Sequence, residues 1–216
     1  MNSNFNHIIA ASPEDRRGLF LSTSNRLGTP IQNVEKDFWV CWALDILFNG
    51  READEPRLLF KGGTSLSKAY GLISRFSEDL DITVFREDLG QNIEVGDLEN
   101  LSGKQQRIRL EKIKQASQEY IQGALKDRLT KQVGAVFKEA GIISHEPFVI
   151  HDSSDMQQQT LLIRYPSVST NPDDYVKPTV KIEGGAKSAL DPHRTVTVQP
   201  YIADEIFGSN LFVPNV

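Results

Sequence analysis

The chain has 216 residues, enough for one domain with a sizeable core and compatible with a second. Hydrophobic residues at 39% and charged residues at 25% are an ordinary globular balance, and no internal repeat or low-complexity tract is present. The net charge of −5 excludes nucleic-acid binding through overall charge, so any such contact needs a local basic patch.

Cys41 is the single cysteine, which rules out an internal disulfide and a thiolate metal cage; its apolar surroundings, Phe38 to Phe48, predict a buried inert thiol. No apolar run approaches the ~18 residues of a membrane span. The opening "MNSNFNHIIAASPEDRR" has no basic n-region or cleavage pattern, so the expected location is the cytoplasm.

In chain order, Ser12-Pro13-Glu14-Asp15 reads as a helix start: a serine cap, proline at the first position and acids at the positive end of the dipole. That helix is expected to run to about Leu27 and stop at Gly28. A second, roughly Asn33 to Asn49, carries Val34, Phe38, Trp42, Asp45 and Ile46 at three- and four-residue steps. Arg57 to Lys61 reads as a short strand leading into Gly62-Gly63, Thr64 to Ile73 as a helix and Leu80 to Phe85 as a strand. Glu87 to Gly103 suggests a loop, and Ser102 to Ala140 one long or broken helix. Between Lys104 and Glu139, nine Lys or Arg stand against four Asp or Glu, either a solvated outer face or a contact surface for a polyanion. Four strands follow, Phe148 to His151, Thr160 to Tyr165, Thr179 to Glu183 and Thr195 to Pro200, separated by turn signals. The expected class is α+β: helices first, a mixed sheet, and a long helix packed across it.

The chemistry concentrates in "KGGTSLSKAYGLISRFSEDLDI", Lys61 to Ile82. Side chains two apart on a strand share a face, so Asp79 and Asp81 point one way while Leu80 and Ile82 point to the core. Paired carboxylates repel unless a cation lies between them, and Mg²⁺ (or Mn²⁺) suits a site of one or two carboxylates plus substrate phosphates. A lone Asp-x-Asp also occurs at strand ends for solubility. Here it follows a turn whose two glycines allow close backbone approach, and Thr64-Ser65 cap the next helix where an anion is favoured. Lys61, Lys68 and Arg75 add positive charge nearby. The segment is not a Walker A loop, because Ser67 stands where the second glycine is required and Ala69 where a Ser or Thr would bind metal. On the later strand "VKIEGG", Glu183 is a candidate third carboxylate or general base and Lys181 a candidate phosphate contact; a polar-faced edge strand is the plain alternative.

This block resembles the signature of the AbiEii/AbiGii nucleotidyltransferases, toxins of type IV toxin–antitoxin and abortive-infection systems. The likeness extends through "VEKDFWVCWALDILF", "LSGKQQRIRLEKI", "QTLLIRYPS" and "VKIEGGAKSALDP", from about Gln32 to about Ala203. The resemblance implies a DNA polymerase β-like nucleotidyltransferase core. Carried over, Gly62, Gly63, Thr64 and Ser65 would cradle the triphosphate of an NTP (GTP or another), and Lys68 would neutralise it. Asp79 and Asp81, with Glu183, would bind Mg²⁺. Ser77, inside the motif, would contact nucleotide or metal, beside the nucleotide contacts already read for Arg75 and Lys181 from their positions. The resemblance also implies phage defence, a cognate antitoxin encoded alongside, and tRNA or other RNA as the acceptor in some relatives. It suggests helices over residues 1–50 packed on a nucleotidyltransferase domain over 51–216, with the family's helical C-terminal domain absent from this chain.

Two rival readings belong to other classes. One is a shortened module that binds nucleotide or a partner without turnover. The other is a two-metal phosphohydrolase, disfavoured because His7, His145, His151 and His193 show no ligand spacing.

Overall fold

The computed structural model describes residues 2–73, 79–93, 95–169, 176–186, 193–206 and 211–216. Three helices lead: α1 (Ser3–Ala10), α2 (Pro13–Leu27) and α3 (Ile31–Asn49). The Ser12 hydroxyl caps α2 by accepting from the Asp15 N–H, and Gly28 ends it at φ +64°, as the sequence predicts. Then come β1 (Leu58–Lys61), α4 (Gly62–Lys68), β2 (Asp79–Val84) and α5 (Val95–Glu99), the last in a segment expected to be loop. The expected long helix is broken: α6 (Gly103–Tyr120) passes through a π-helical turn, Ile121–Leu125, into α7 (Lys126–Glu139). Ser102 and Gln105 form the capping box that starts α6. Five strands complete the chain: β3 (Val149–His151), β4 (Thr160–Arg164), β5 (Thr179–Glu183), β6 (Val196–Val198) and β7 (Leu211–Val213). Sequence periodicity did not flag α1 or β7.

The main sheet runs β1-β2-β5-β4-β3, with β2 and β5 parallel and its other pairs antiparallel; β6 and β7 form a separate ribbon. It is therefore the mixed sheet of an α+β fold. One cluster of buried residues extends from Phe5 to Val216 and joins α1–α3 to the sheet.

At its centre is α3, buried on every side from Val34 to Phe48. Trp39 stacks on Tyr165 with centroids 5.0 Å apart, and Trp42 stacks on Phe137 at 5.3 Å. Cys41 is buried as expected, and burial pushes its thiol up to about 12. The sequence pattern marks Asp45 as the polar exception on α3, yet Glu35, Lys36 and Asp37 are buried too. Each is partnered, as a buried charge must be. Asp45 accepts from the Asn2 N–H and Asn49 Nδ2, fastening α1. Glu35 accepts from Ser167, from the Val168 and Ser169 N–H groups, and from the Ser169 hydroxyl. Lys36 donates to the carbonyls of Lys177 and Thr179, at the entry to β5. Asp37 holds Lys68 of α4. The central helix thus anchors two of the elements that carry the candidate chemistry.

One of the positive charges of α6 and α7 turns inward. Arg128 is buried, donates to the Ile46 and Leu47 carbonyls at the end of α3, and pairs with Glu55 at 2.9 Å. Among the described residues, no helix is long and apolar enough to cross a membrane.

Candidate active site

Pairing places the polar residues of four strands in register. Lys61 on β1 lies opposite Asp81 on β2, Asp81 opposite Glu183 on β5, and Glu183 opposite Thr160 on β4; Asp79 lies opposite Lys181. Registered neighbours share a face. Lys61, Asp79, Asp81, Lys181 and Glu183 are therefore on one half-buried side of the sheet, while Phe60, Leu80, Ile82 and Ile182 fill the core on the other.

The glycine turn meets this face directly. Gly62 has φ +75°, a left-handed conformation, and a Cβ there would collide with the carboxylate of Asp81. The Thr64 hydroxyl donates to the Asp79 carbonyl at 2.6 Å, and the Ser65 hydroxyl donates to the Gly62 carbonyl at 2.9 Å. Both side chains are buried, so they fix the turn against the start of β2, and Gly62 and Gly63 are left to offer backbone. Gly62→Ala is expected to push Asp81 aside and to force a non-glycine residue into the left-handed region, at about 1–2 kcal/mol. A thermal melt measures that cost, and the Gly62→Ala, Asp81→Ala double variant should recover the part due to the collision.

Electrostatically, the face carries uncompensated negative charge. Burial pushes the Asp81 carboxyl above its ordinary range, Glu183 and Asp79 add to the effect, and Lys61 and Lys181 pull against it. Lys181 forms an ion pair with Glu183. With Glu183 turned onto Lys181, no three His, Cys, Asp or Glu side chains converge to hold a metal among the described residues. The donor chemistry nonetheless fits a hard divalent cation: Asp79 and Asp81 offer carboxylate oxygens on one face, crowded enough that an added cation relieves their repulsion.

Lys68 is placed differently from its expected role. Its ammonium pairs with buried Asp37, donates to the Gln199 carbonyl at 3.1 Å and lies 4.0 Å over the Tyr201 ring. Burial disfavours its charge, but Asp37 together with Cys41 and Tyr201 leaves Lys68 above its ordinary value. It anchors α4 from beneath. Arg75 and Ser77 lie outside the described residues.

Beyond β5, a cleft of about 320 Å³ opens between Lys181, Glu183 and the β3–β4 connection, where Asp152, Ser154 and Asp155 face it. Asp152 accepts from the Ser154 hydroxyl and N–H, and Asp155 from the Gln159 N–H and the Thr160 hydroxyl. Sequence reasoning did not single out these acids; the turn signal "SSD" located the segment but not its position against β5.

Fold and site together define a mixed α+β protein whose glycine turn and paired aspartates share one sheet face. The chain belongs to the family described as nucleotidyl transferase AbiEii toxin, type IV toxin–antitoxin system, whose model matches residues 45–215. Among solved structures it is similar to MenT4, the nucleotidyltransferase toxin Rv2826c from Mycobacterium tuberculosis H37Rv, with 18% identity and a TM-score of 0.42. That match covers 93% of this chain and 54% of MenT4, so the chain spans about half the length of the protein it matches. No curated protein matches the sequence.

Proposed function

We propose that this chain carries the nucleotidyltransferase centre of a toxin that moves a nucleotide from an NTP to an acceptor. The observation that carries the reading is the placement of Asp79 and Asp81 on one sheet face, with Asp81 directly against Gly62 and Glu183 next to Asp81 in register. Asp79 and Asp81, joined by Glu183, would hold Mg²⁺ or Mn²⁺. When bound, the ion supplies charge neutralisation for the triphosphate and the departing pyrophosphate.

The chain's own groups do the rest. The backbone of Gly62 and Gly63 admits the phosphates, and Lys61 and Lys181 lie beside them. Glu183 would accept the proton of an acceptor hydroxyl as its oxygen bonds to the α-phosphorus and pyrophosphate leaves. Arg75 and Ser77, within the same motif, would contact the nucleotide. The acceptor in this reading is an RNA end, tRNA included, whose phosphates the exposed Lys104, Arg107, Lys112, Lys131 and Lys138 of α6 and α7 would meet. A cognate antitoxin, a cytoplasmic setting and a role in phage defence complete the reading.

The test is transfer of radiolabel from each NTP to total RNA with Mg²⁺ present. Labelled RNA with the native chain and none with Asp79→Ala is the expected result; equal labelling by both would refute the assignment. A binding-only reading draws support from the Lys181–Glu183 ion pair, which engages the third carboxylate. It predicts nucleotide binding with no labelled RNA.

A further inference from the structure

Lys181 occupies a singular position. It lies opposite Asp79 in the parallel β2–β5 register and two residues before Glu183, with which it forms an ion pair. Its electrostatic neighbours are Glu183 and Asp79 on the sheet and Asp152 across the cleft; Asp81 and Asp155 feel it in turn. One ammonium therefore stands between two groups of carboxylates, one on the sheet face and one on the β3–β4 connection. It also lines the cleft that separates them, which leaves space for its four-carbon stem to swing.

Buried or half-buried carboxylates that repel one another need a positive charge among them. Without a metal, Lys61 and Lys181 supply it, and Lys181 is the one that also pairs with Glu183. A divalent ion drawn to the same oxygens competes with the ammonium, because both cannot occupy a few ångströms of space without strong like-charge repulsion. Asp152 then offers a second resting place: it is already an ionised acceptor, held by Ser154, on the far wall of the cleft.

We propose that Lys181 is the internal counter-ion of the Asp79–Asp81–Glu183 face, and that a divalent cation and the Lys181 ammonium occupy that face alternately, the ammonium crossing to Asp152 when the ion enters. The proposal rests on the reading of this face as a metal centre. It makes Lys181 a positioning residue: metal entry releases Glu183 and moves the ammonium across the cleft to Asp152.

The experiment is Mn²⁺ binding to the 216-residue chain, read as loss of the free-ion electron paramagnetic resonance signal, with no nucleotide present. Removing the competitor in Lys181→Met is expected to tighten Mn²⁺ binding by about tenfold, within the range typical of coupled sites. Lys181→Arg, which keeps the charge, should stay close to the native chain. Asp152→Asn should weaken binding when Lys181 is present and leave it unchanged in the Lys181→Met background. Thermal melts give a second readout: in chelator, Lys181→Met should melt below the native chain, and Mn²⁺ should raise it by the larger increment. Native-like Mn²⁺ affinity in Lys181→Met, or weaker, would overturn the counter-ion role while leaving the metal centre standing. If neither the native chain nor any variant binds Mn²⁺, the reading of the face as a metal centre fails, and the exchange with it.

Discussion

Asp81→Asn is expected to lower nucleotide transfer by a factor on the order of 10²–10³, the usual cost of removing a group that stabilises transition-state charge, while the fold becomes no less stable. The two effects separate because of where the carboxylate sits. Burial and the nearby Glu183 and Asp79 raise its proton affinity in the folded chain. A group whose folded pKa lies above its unfolded value binds more protons when folded, so stability falls as pH rises through the interval between the two values. The ionised form then remains a burden at every higher pH. Asparagine, nearly the same size but neutral, removes that burden. Melts in chelator should place Asp81→Asn at or above the native chain at neutral pH, with the difference shrinking as the pH falls into the ordinary carboxylate range. A large drop in melting temperature at neutral pH would show that Asp81 holds the fold together and is not spent on a ligand.

Lys68→Met is expected to cost about 3–5 kcal/mol of stability, because it leaves the Asp37 carboxylate in the core without its partner. Asp37 is 2% exposed and the Lys68 side chain 8% exposed, so water cannot replace the lost ammonium. The Tyr201 N–H still donates to Asp37 at 2.7 Å but does not neutralise it. Asp37→Asn removes the charge and keeps that acceptor, so the Asp37→Asn, Lys68→Met pair should recover most of the loss; chemical denaturation of the four chains measures the coupling. Were Lys68 instead the neutraliser of a bound triphosphate, as its place after the glycine turn suggests, Lys68→Met would melt like the native chain and weaken only NTP binding.

The same contrast runs through the rest of the molecule. Local signals were sufficient wherever a residue's role depends on its neighbours in the chain. Ser12 and Gly28 bound α2 because capping is settled within four residues. The alternation Asp79, Leu80, Asp81, Ile82 decides which side chains share a face, since the period of a strand is two. The Gly62-Gly63 turn was legible for a similar reason, although the left-handed φ of Gly62 serves the close approach of Asp81, a contact made across the β1–β2 pair.

The sequence by itself determined the order of the elements other than α1, α5 and β7, the α+β class, the shared face of Asp79 and Asp81, and the family. Tertiary structure alone decided which charges line the candidate site and which are internal ties. The helical period of α3 shows an apolar stripe around Phe38 and Trp42, but Glu35, Lys36 and Asp37 became buried only because α3 is packed on all sides. Their partners come from residues more than 30 positions away in the chain. Sequence reasoning assigned Thr64, Ser65 and Lys68 to the helix cap and the triphosphate, whereas in the fold Lys68 pairs with Asp37 and the two hydroxyls donate to the Asp79 and Gly62 carbonyls. An ionic group has no periodicity; its free energy is set by the dielectric and the charges around it, and those exist only once distant segments have met.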